Sequence, residues 1–374
     1  MKKQAENTIK DIAQKLGLSP STVSRGLNDH PHINEKTKKK IRDTAVKLGY
    51  KHNAIAASLR NNRSNTIGLI VPKISMFYQS AVLTAIQNKL HEYKYNLIVC
   101  QSNESVEIER ELVNALYASR VEGLIVSATL HTVDFSHFDV FSKSNCPLVF
   151  FDRIPTAYPA NKIEGDEYNG GYLATRHLLE LGCRRIAHIG GSLTCNLYRG
   201  RYAGYKDALK EYRIGVDDEI VFFHDLTEEN GLKTAEKLFS QKTFPDAVFA
   251  CNDTTAVAVI QYAKSLGIDI PSKLKVIGYS NGPLSQIVDP ALTSVEQHTN
   301  KVGIEAATMM MNLIGNKTRK TTRFKKITIP IDLIKRNSTV GQQKNLSVNQ
   351  IQRSELKILP VTDRKLNVKK NLMH

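Results

Sequence analysis

Between Ser19 and Asn28 the chain carries side chains suited to hydrogen bonding: Ser19, Pro20, Ser21, Thr22, Ser24, Arg25 and Asn28. Small hydroxyls reach phosphate oxygens, and an arginine offers a planar fork to both acceptors on a guanine edge. Spacing matters as much as type. Ser19 can cap a helix whose first turn holds Pro20, where a missing N–H costs nothing. Val23 and Leu27 then face inward, while Pro20, Ser21, Ser24, Arg25 and Asn28 face outward. Such a row, with its reading groups near a helix N-terminus, suits the major groove of a duplex. The plain alternative is a small helical bundle with a polar exterior.

The elements around that row must hold it rigidly. Thr8 caps a preceding helix, with Asp11 three residues on as a short-armed capping box. Ile9, Ile12, Ala13 and Leu16 share one face, and Gly17 ends the helix. Asn34 caps a third helix with the stripe Ile41, Ala45, Leu48, stopped by Gly49. Helix, glycine turn, helix is the spacing of a helix-turn-helix. From Thr66 the texture changes. Apolar runs at Ile67–Val71, Asn96–Cys100, Gly123–Ser127, Pro147–Phe151, Arg185–Ile189, Asp246–Ala250 and Lys275–Tyr279 alternate with amphipathic segments. Runs without alternation predict strands buried on both faces, hence parallel sheets covered by helices. The stretch is too long for one comfortable sheet, so two similar doubly wound lobes are expected, facing each other across a cleft at the strands' carboxyl ends.

Charge is placed unevenly. Residues 1–63 hold 14 Lys/Arg against 5 Asp/Glu, residues 64–340 hold 31 against 29, and residues 341–374 hold 7 against 2. A basic end on a nearly neutral body points to a polyanion partner. The five cysteines are far apart and form no C-x-x-C pair, which indicates neither a metal site nor a disulfide framework. No secretory signal and no apolar run of membrane-spanning length is present, so a cytoplasmic location without membrane association is expected. No cofactor is expected either. Gly190-Gly191 lacks the dinucleotide spacing, and no Walker pattern, HExxH or nucleophile elbow occurs, which argues against an enzyme and leaves no catalytic residue to name. His177 and His188 read as fold or surface residues.

The segment TIKDIAQKLGLSPSTVSRGL, Thr8–Leu27, closely resembles the headpiece of the LacI/GalR family of bacterial regulators, and the similarity continues through NDHPHINEKTKKKIRDTAVKLGYKHNAIAASLR. The order of elements is similar to that family as far as about Thr339. The resemblance implies an all-α helix-turn-helix headpiece over residues 1–52, a hinge helix and linker over 53–65, and a two-lobed α/β core over 66–340 similar to periplasmic sugar-binding proteins. Lobe 1 would take about 66–165 and 297–324, and lobe 2 about 166–296 and 325–340, with crossings near Asp166, Glu296 and Phe324. A basic, disordered tail would follow over 341–374. It further implies a homodimer, with a tetramer left open, on a near-palindromic double-stranded operator, associated with the nucleoid when bound. Thr8, His32, Thr37, Tyr50 and Asn53 join the DNA-facing set, together with Ala56, Leu59 and Arg60 of the hinge, where Leu59 would wedge into the minor groove. His52 stands where relatives carry proline, which loosens the entry to the hinge.

By the same resemblance the cleft is an effector site. Phe77, Tyr78 and Gln79 follow the first strand, Ser127 and then Asp152 and Arg153 end later ones, and Asn252 and Asp253 close another. Arg201 matches the arginine of R-x-A-G-[FYW] that binds effector oxygens. Two arginines, two acids and an aromatic wall suit a hydroxylated small molecule, a sugar or sugar derivative, with a phosphorylated or acidic form left open. One departure is plain: Gly278-Tyr279 is followed by Ser280 and Asn281, where the family carries aspartate. The expected function is a repressor whose operator affinity a small effector controls. The rivals are a core that answers to a partner protein and a sugar-binding module without an operator role.

Overall fold

The structure, a computed structural model, describes residues 7–50, 63–315 and 324–341. Three helices form the N-terminal unit: α1 (Ile9–Leu16), α2 (Pro20–Leu27) and α3 (Glu35–Lys47). Their starts follow from local chemistry. Asp11 accepts from the Thr8 N–H at 2.6 Å and the Thr8 hydroxyl at 2.8 Å. Ser19 Oγ accepts the Thr22 N–H at 3.1 Å, and Asn34 Oδ1 accepts the Thr37 N–H at 2.8 Å. Gly17, at φ 63°, lets the Leu18 N–H return to the Ala13 carbonyl and turns the chain into α2. Ile12, Ala13, Val23, Ile41 and Ala45 make the core, with Leu16, Leu27, Leu48 and Tyr50 packed around it.

The rest is two sheets. In chain order the elements are β1 (Thr66–Val71), α4 (Phe77–Glu92), β2 (Asn96–Gln101), α5 (Val106–Ala118), β3 (Gly123–Val126), α6 (Asp139–Lys143), β4 (Leu148–Phe151) and β5 (Asn161–Gly165). There follow α7 (Glu167–Glu180), β6 (Ile186–Gly190), α8 (Asn196–Glu211), β7 (Val221–Phe223), α9 (Glu228–Phe239), β8 (Ala247–Ala250), α10 (Asp253–Ser265) and β9 (Lys275–Tyr279). The last are α11 (Leu284–Ile287), β10 (Thr293–Glu296), α12 (Thr299–Gly315), β11 (Lys326–Ile329) and β12 (Asp332–Ile334). The first sheet runs β11-β5-β4-β3-β1-β2, every neighbour parallel. The second runs β12-β10-β9-β8-β6-β7, parallel except for β12 against β10. The expected class therefore holds: a helical headpiece and two α/β lobes.

Each of the seven apolar runs falls on a strand to within one residue at an end, and β3, β4, β6 and β8 are buried along their whole length. The strand at Asn96 is different. It is the sheet edge, and Asn96 and Ile98 are exposed. The third crossing also needs correcting. Lys326–Ile329 pairs in parallel with Lys162–Gly165, so these residues belong to the first lobe, and the chain crosses at Pro330–Ile331 and not near Phe324. The alternating, partly charged Lys326-Ile327-Thr328-Ile329 fits an edge strand, which needs only one apolar face. The first crossing follows Gly165 and the second follows Glu296, after which α12 packs on α4. The hinge positions Asn53, Ala56, Leu59 and Arg60, and the tail after Gly341, lie outside the described residues.

Candidate functional site

Two candidate surfaces stand on this frame. On the headpiece, α2 presents Pro20, Ser21, Arg25 and Asn28 as exposed residues, while Thr22 and Ser24 are half-buried. Ser19 Oγ lies 2.8 Å from both the Ser21 and Thr22 hydroxyls, a compact cluster at the N-terminus of α2. Asn28 turns back, its Nδ2 donating to the Ser24 carbonyl at 2.8 Å. Thr8 and His32 are exposed, and Thr37 and Tyr50 are half-buried. The His32 N–H donates to His30 Nδ1 at 3.3 Å, which orders the loop before α3. Not every basic residue here is free for a polyanion. Lys38 is buried and held by Glu35 at 2.7 Å and Asp29 at 3.0 Å, and Arg42 also pairs with Asp29. Lys36, Lys39, Lys40 and Lys47 remain exposed on α3.

The second surface lies between the sheets, where strand ends from both lobes meet. Gln79, at the start of α4, donates from Nε2 to Asp152 Oδ2 at 2.8 Å and to Ser127 Oγ at 3.2 Å. Its Oε1 is buried with no hydrogen-bond partner. Asp152 sits at φ 60° just after β4. Burial raises its pKa to about 6, against the opposing pull of Arg153. Arg153 is held by Glu104 at 2.7 and 2.8 Å, and its Nε is buried without a partner. Tyr78 is buried, and Phe77 lies 43% exposed beside Gly282 of the other lobe.

Arg201 is 4% exposed. Its Nε donates to Glu167 Oε2 at 2.6 Å and its Nη1 to the Cys251 carbonyl at 2.7 Å. Its guanidinium stacks 3.5 Å from the Tyr279 ring centroid. Burial opposes its charge, yet the Glu167 carboxylate holds its pKa well above the ordinary value. Close helix packing places this pair. A Cβ on Gly171 would stand 2.0 Å from the Arg201 carbonyl oxygen, and one on Gly204 would stand 2.1 Å from that of Tyr168. Only glycine lets α7 and α8 approach so far.

Not every expected cleft residue offers its polar atoms to the space between the lobes. Asp253 is turned into lobe 2, accepting from the Gly282 N–H at 2.7 Å and the Ser294 hydroxyl at 2.6 Å. Burial lifts its pKa to about 7. Asn252 caps α10 and donates to the Leu226 carbonyl. Ser280 takes φ 105°, and its hydroxyl donates to Gln297 Oε1 at 2.9 Å. His177 and His188 are both buried, so neither is a surface residue.

Sequence reading missed Glu167, Glu104, Gln297 and Asn196. Asn196 Oδ1 accepts the Ile154 N–H at 3.0 Å, and its Nδ2 donates to the Asp152 carbonyl at 3.1 Å, tying α8 to the other lobe. Beside this tie runs a groove of about 680 Å³, lined among others by Arg153, Tyr158 and Thr129 of one lobe and Thr194 and Asn196 of the other. Glu167 carried one usable signal: it follows Asp166 where the chain leaves the first sheet. No cluster of metal-ligating residues occurs among the described residues, and none of their helices is long and apolar enough to cross a membrane.

Residues 8–53 match the profile of bacterial regulatory proteins of the lacI family, and residues 175–339 match a periplasmic binding protein-like domain. The chain is 31% identical over 312 residues to catabolite control protein A of Priestia megaterium, covering 83% of this chain and 93% of that protein. The lac repressor dimer bound to operator and the anti-inducer ONPF has a similar structure, with TM-score 0.81 and 25% identity over 90% of this chain and 100% of that one. A complex of the transcriptional regulator CelR with cellobiose gives TM-score 0.68 at 25% identity, covering 89% and 100%.

Proposed function

The chain belongs to the lacI family of bacterial regulatory proteins, and on that premise we propose that it represses transcription by gripping a near-palindromic operator as a homodimer, under control of a small hydroxylated effector. As a member of the family it is a DNA-binding transcriptional regulator with an effector-binding core. The finer reading is ours. Arg25 reads a base edge, Ser19, Ser21, Thr22 and Ser24 suit phosphates, and Asn28 lies on the same face with its amide turned back onto the Ser24 carbonyl. Thr8, Pro20, His32, Thr37 and Tyr50 complete the face, with Asn53, Ala56, Leu59 and Arg60 following at the operator centre. The effector, a sugar or sugar derivative, sits among Phe77, Tyr78, Gln79, Ser127, Asp152, Arg153 and Arg201, with Asn252, Asp253 and Ser280 behind them, their polar atoms already held by neighbouring groups. A CelR neighbour holding cellobiose supports that class. The cycle would run in the cytoplasm, on nucleoid DNA.

One observation carries this reading. A rigid three-helix unit with Arg25 exposed on its second helix stands in the same chain as two lobes whose charged strand ends meet. Effector bound between the lobes shifts their closure and hence the spacing of two headpieces in a dimer. The test has two arms. Gel shift against a randomised duplex pool at rising salt should select a palindromic sequence, and equal binding to all duplexes refutes the operator role. Calorimetry against a sugar library, followed by gel shift with any binder, tests the control. Silence across the library favours control by a partner protein.

A further inference from the structure

Arg201 is a cation whose charge the chain has already answered. Glu167 Oε2 accepts from Arg201 Nε at 2.6 Å and from the Tyr279 hydroxyl at 2.8 Å. Glu167 Oε1 faces Gln297 Nε2 at 3.4 Å. Glu167 is 6% exposed and Arg201 is 4% exposed, so the pair is out of water and poorly screened. A carboxylate held by three donors in such a place is not pushed aside cheaply.

The neighbours do not restore a positive field. Asp152 is near enough to feel both Glu167 and Arg201. The other guanidinium, Arg153, is bound by Glu104. Glu104, Asp152 and Glu167 thus stand against Arg153 and Arg201, three acids to two bases. An ionised carboxylate only accepts hydrogen bonds, so its free lone pairs call for a donor. A sugar hydroxyl supplies one and can accept in turn from the guanidinium N–H groups. A phosphate dianion or a sugar carboxylate supplies none, and would face a cleft without net positive charge.

Resting on the reading of the cleft as the effector site, we propose that Glu167 is a specificity residue that reserves it for uncharged polyhydroxylated ligands and shuts out their phosphorylated and carboxylated forms. The cleft selects against anions through a side chain carried on α7, the helix that follows the first crossing.

The test uses the full chain, wild type and E167Q, with inorganic sulfate as the anion probe in calorimetry. Wild type should show no saturable sulfate binding. E167Q, which keeps the shape and removes the charge, should bind sulfate at least about tenfold more tightly, and adding R201A should abolish that gain. Equal sulfate binding by wild type and E167Q overturns the proposal, as does a failure of E167Q to gain any. Circular dichroism melting checks that E167Q is folded, and E167A serves if it is not. In wild type, uncharged sugars are compared with their own phosphates and acids, such as glucose with glucose 6-phosphate and galactose with galacturonate. A charged form that binds more tightly than its parent sinks the proposal while leaving the effector reading intact. If no uncharged sugar binds, the sugar reading falls, and the sulfate arm still decides the role of Glu167.

Discussion

Replacing Arg201 with alanine removes one half of a buried ion pair. In R201A the Glu167 carboxylate keeps the Tyr279 hydroxyl but loses its only ionic partner among the described contacts. The Cys251 carbonyl loses its Nη1 donor, and the Tyr279 ring loses the cation 3.5 Å above it. Breaking a buried pair from one side typically costs about 3–5 kcal/mol, because the remaining charge stays buried. For a core of this size each kcal/mol moves Tm by roughly 2–4 °C. The core transition in scanning calorimetry should therefore fall by about 6–20 °C. The companion double variant R201M/E167Q removes both charges, leaves no orphan, and should recover more than half of that loss. The coupling in the cycle isolates the pair. A melt of R201A within 2 °C of wild type would falsify the placement of Arg201 in a buried, charge-bearing lock. Any loss of effector response in R201A must be measured well below its own Tm, since the Arg201–Glu167 pair bears on stability whatever its part in the proposed ligand site.

Three further outcomes follow from the geometry. Arg25→Ala should cost roughly 1–3 kcal/mol of operator affinity and relax selectivity at one base pair of each half-site; unchanged selection from a randomised duplex pool refutes the assignment. Gly204→Ala drives a Cβ to 2.1 Å from the Tyr168 carbonyl oxygen and 2.5 Å from the Tyr172 nitrogen, both backbone atoms. It should destabilise the core by about 1–3 kcal/mol or more, and a wild-type urea midpoint would show that α7 and α8 do not pack so closely. Asp152 has a raised pKa in the folded chain, so its contribution to stability is full below the ordinary value of 3.8 and is lost as pH rises through about 6. Asp152→Asn mimics the neutral form, so its Tm relative to wild type should be more favourable at pH 7.5 than at pH 5, by the equivalent of roughly 1–1.5 kcal/mol of the full span of about 3 kcal/mol; a pH-independent difference contradicts a buried, charge-penalised Asp152.

Local chemistry was legible from the sequence wherever one turn of chain decides the outcome. Thr8 with Asp11, Ser19 and Asn34 all cap the helices their spacing foretold, because a cap involves only neighbours in sequence. Continuous apolar runs marked the inner strands for a similar reason, since a strand covered on both faces has no polar face to show. The edge strands β11 and β12 escaped because an edge needs burial on one side only, the edge β7 because it is three residues long, and the inner strands β5 and β10 because Asn161–Gly165 and Thr293–Glu296 mix polar with apolar residues. Charge partners escaped for a different reason. Arg201 and Glu167 are 34 residues apart, and Arg153 and Glu104 are 49 apart. Nothing local distinguishes an arginine held by a distant carboxylate from one left open to a ligand. Asp253 shows the same limit: its position at a strand end was plain, but its turn toward Gly282 and Ser294 depends on a loop 29 residues on and a strand 41 residues on.

The ties between the lobes are of a size that a ligand can contest. Asn196 makes two hydrogen bonds to lobe 1, Arg199 Nη2 donates to the Thr156 hydroxyl at 2.9 Å, and Thr194 reaches the Leu130 carbonyl at 3.4 Å. The three neutral bonds are worth about 0.5–1.5 kcal/mol each net, and the charge-assisted bond from the exposed Arg199, screened by solvent, adds about as much. Their sum is a few kcal/mol, comparable with the roughly 1–3 kcal/mol by which an effector typically couples to a distant site. Ties far stronger than this would lock the lobes whatever was bound. Far weaker ones would leave nothing for a ligand to change. In the proposed cycle the buried Arg201–Glu167 pair lies wholly within lobe 2, so it can stay closed while the Asn196 and Arg199 ties open. That division, a buried charge pair inside one lobe and a few exchangeable hydrogen bonds between lobes, is the arrangement that the proposed charge selection and lobe movement both require.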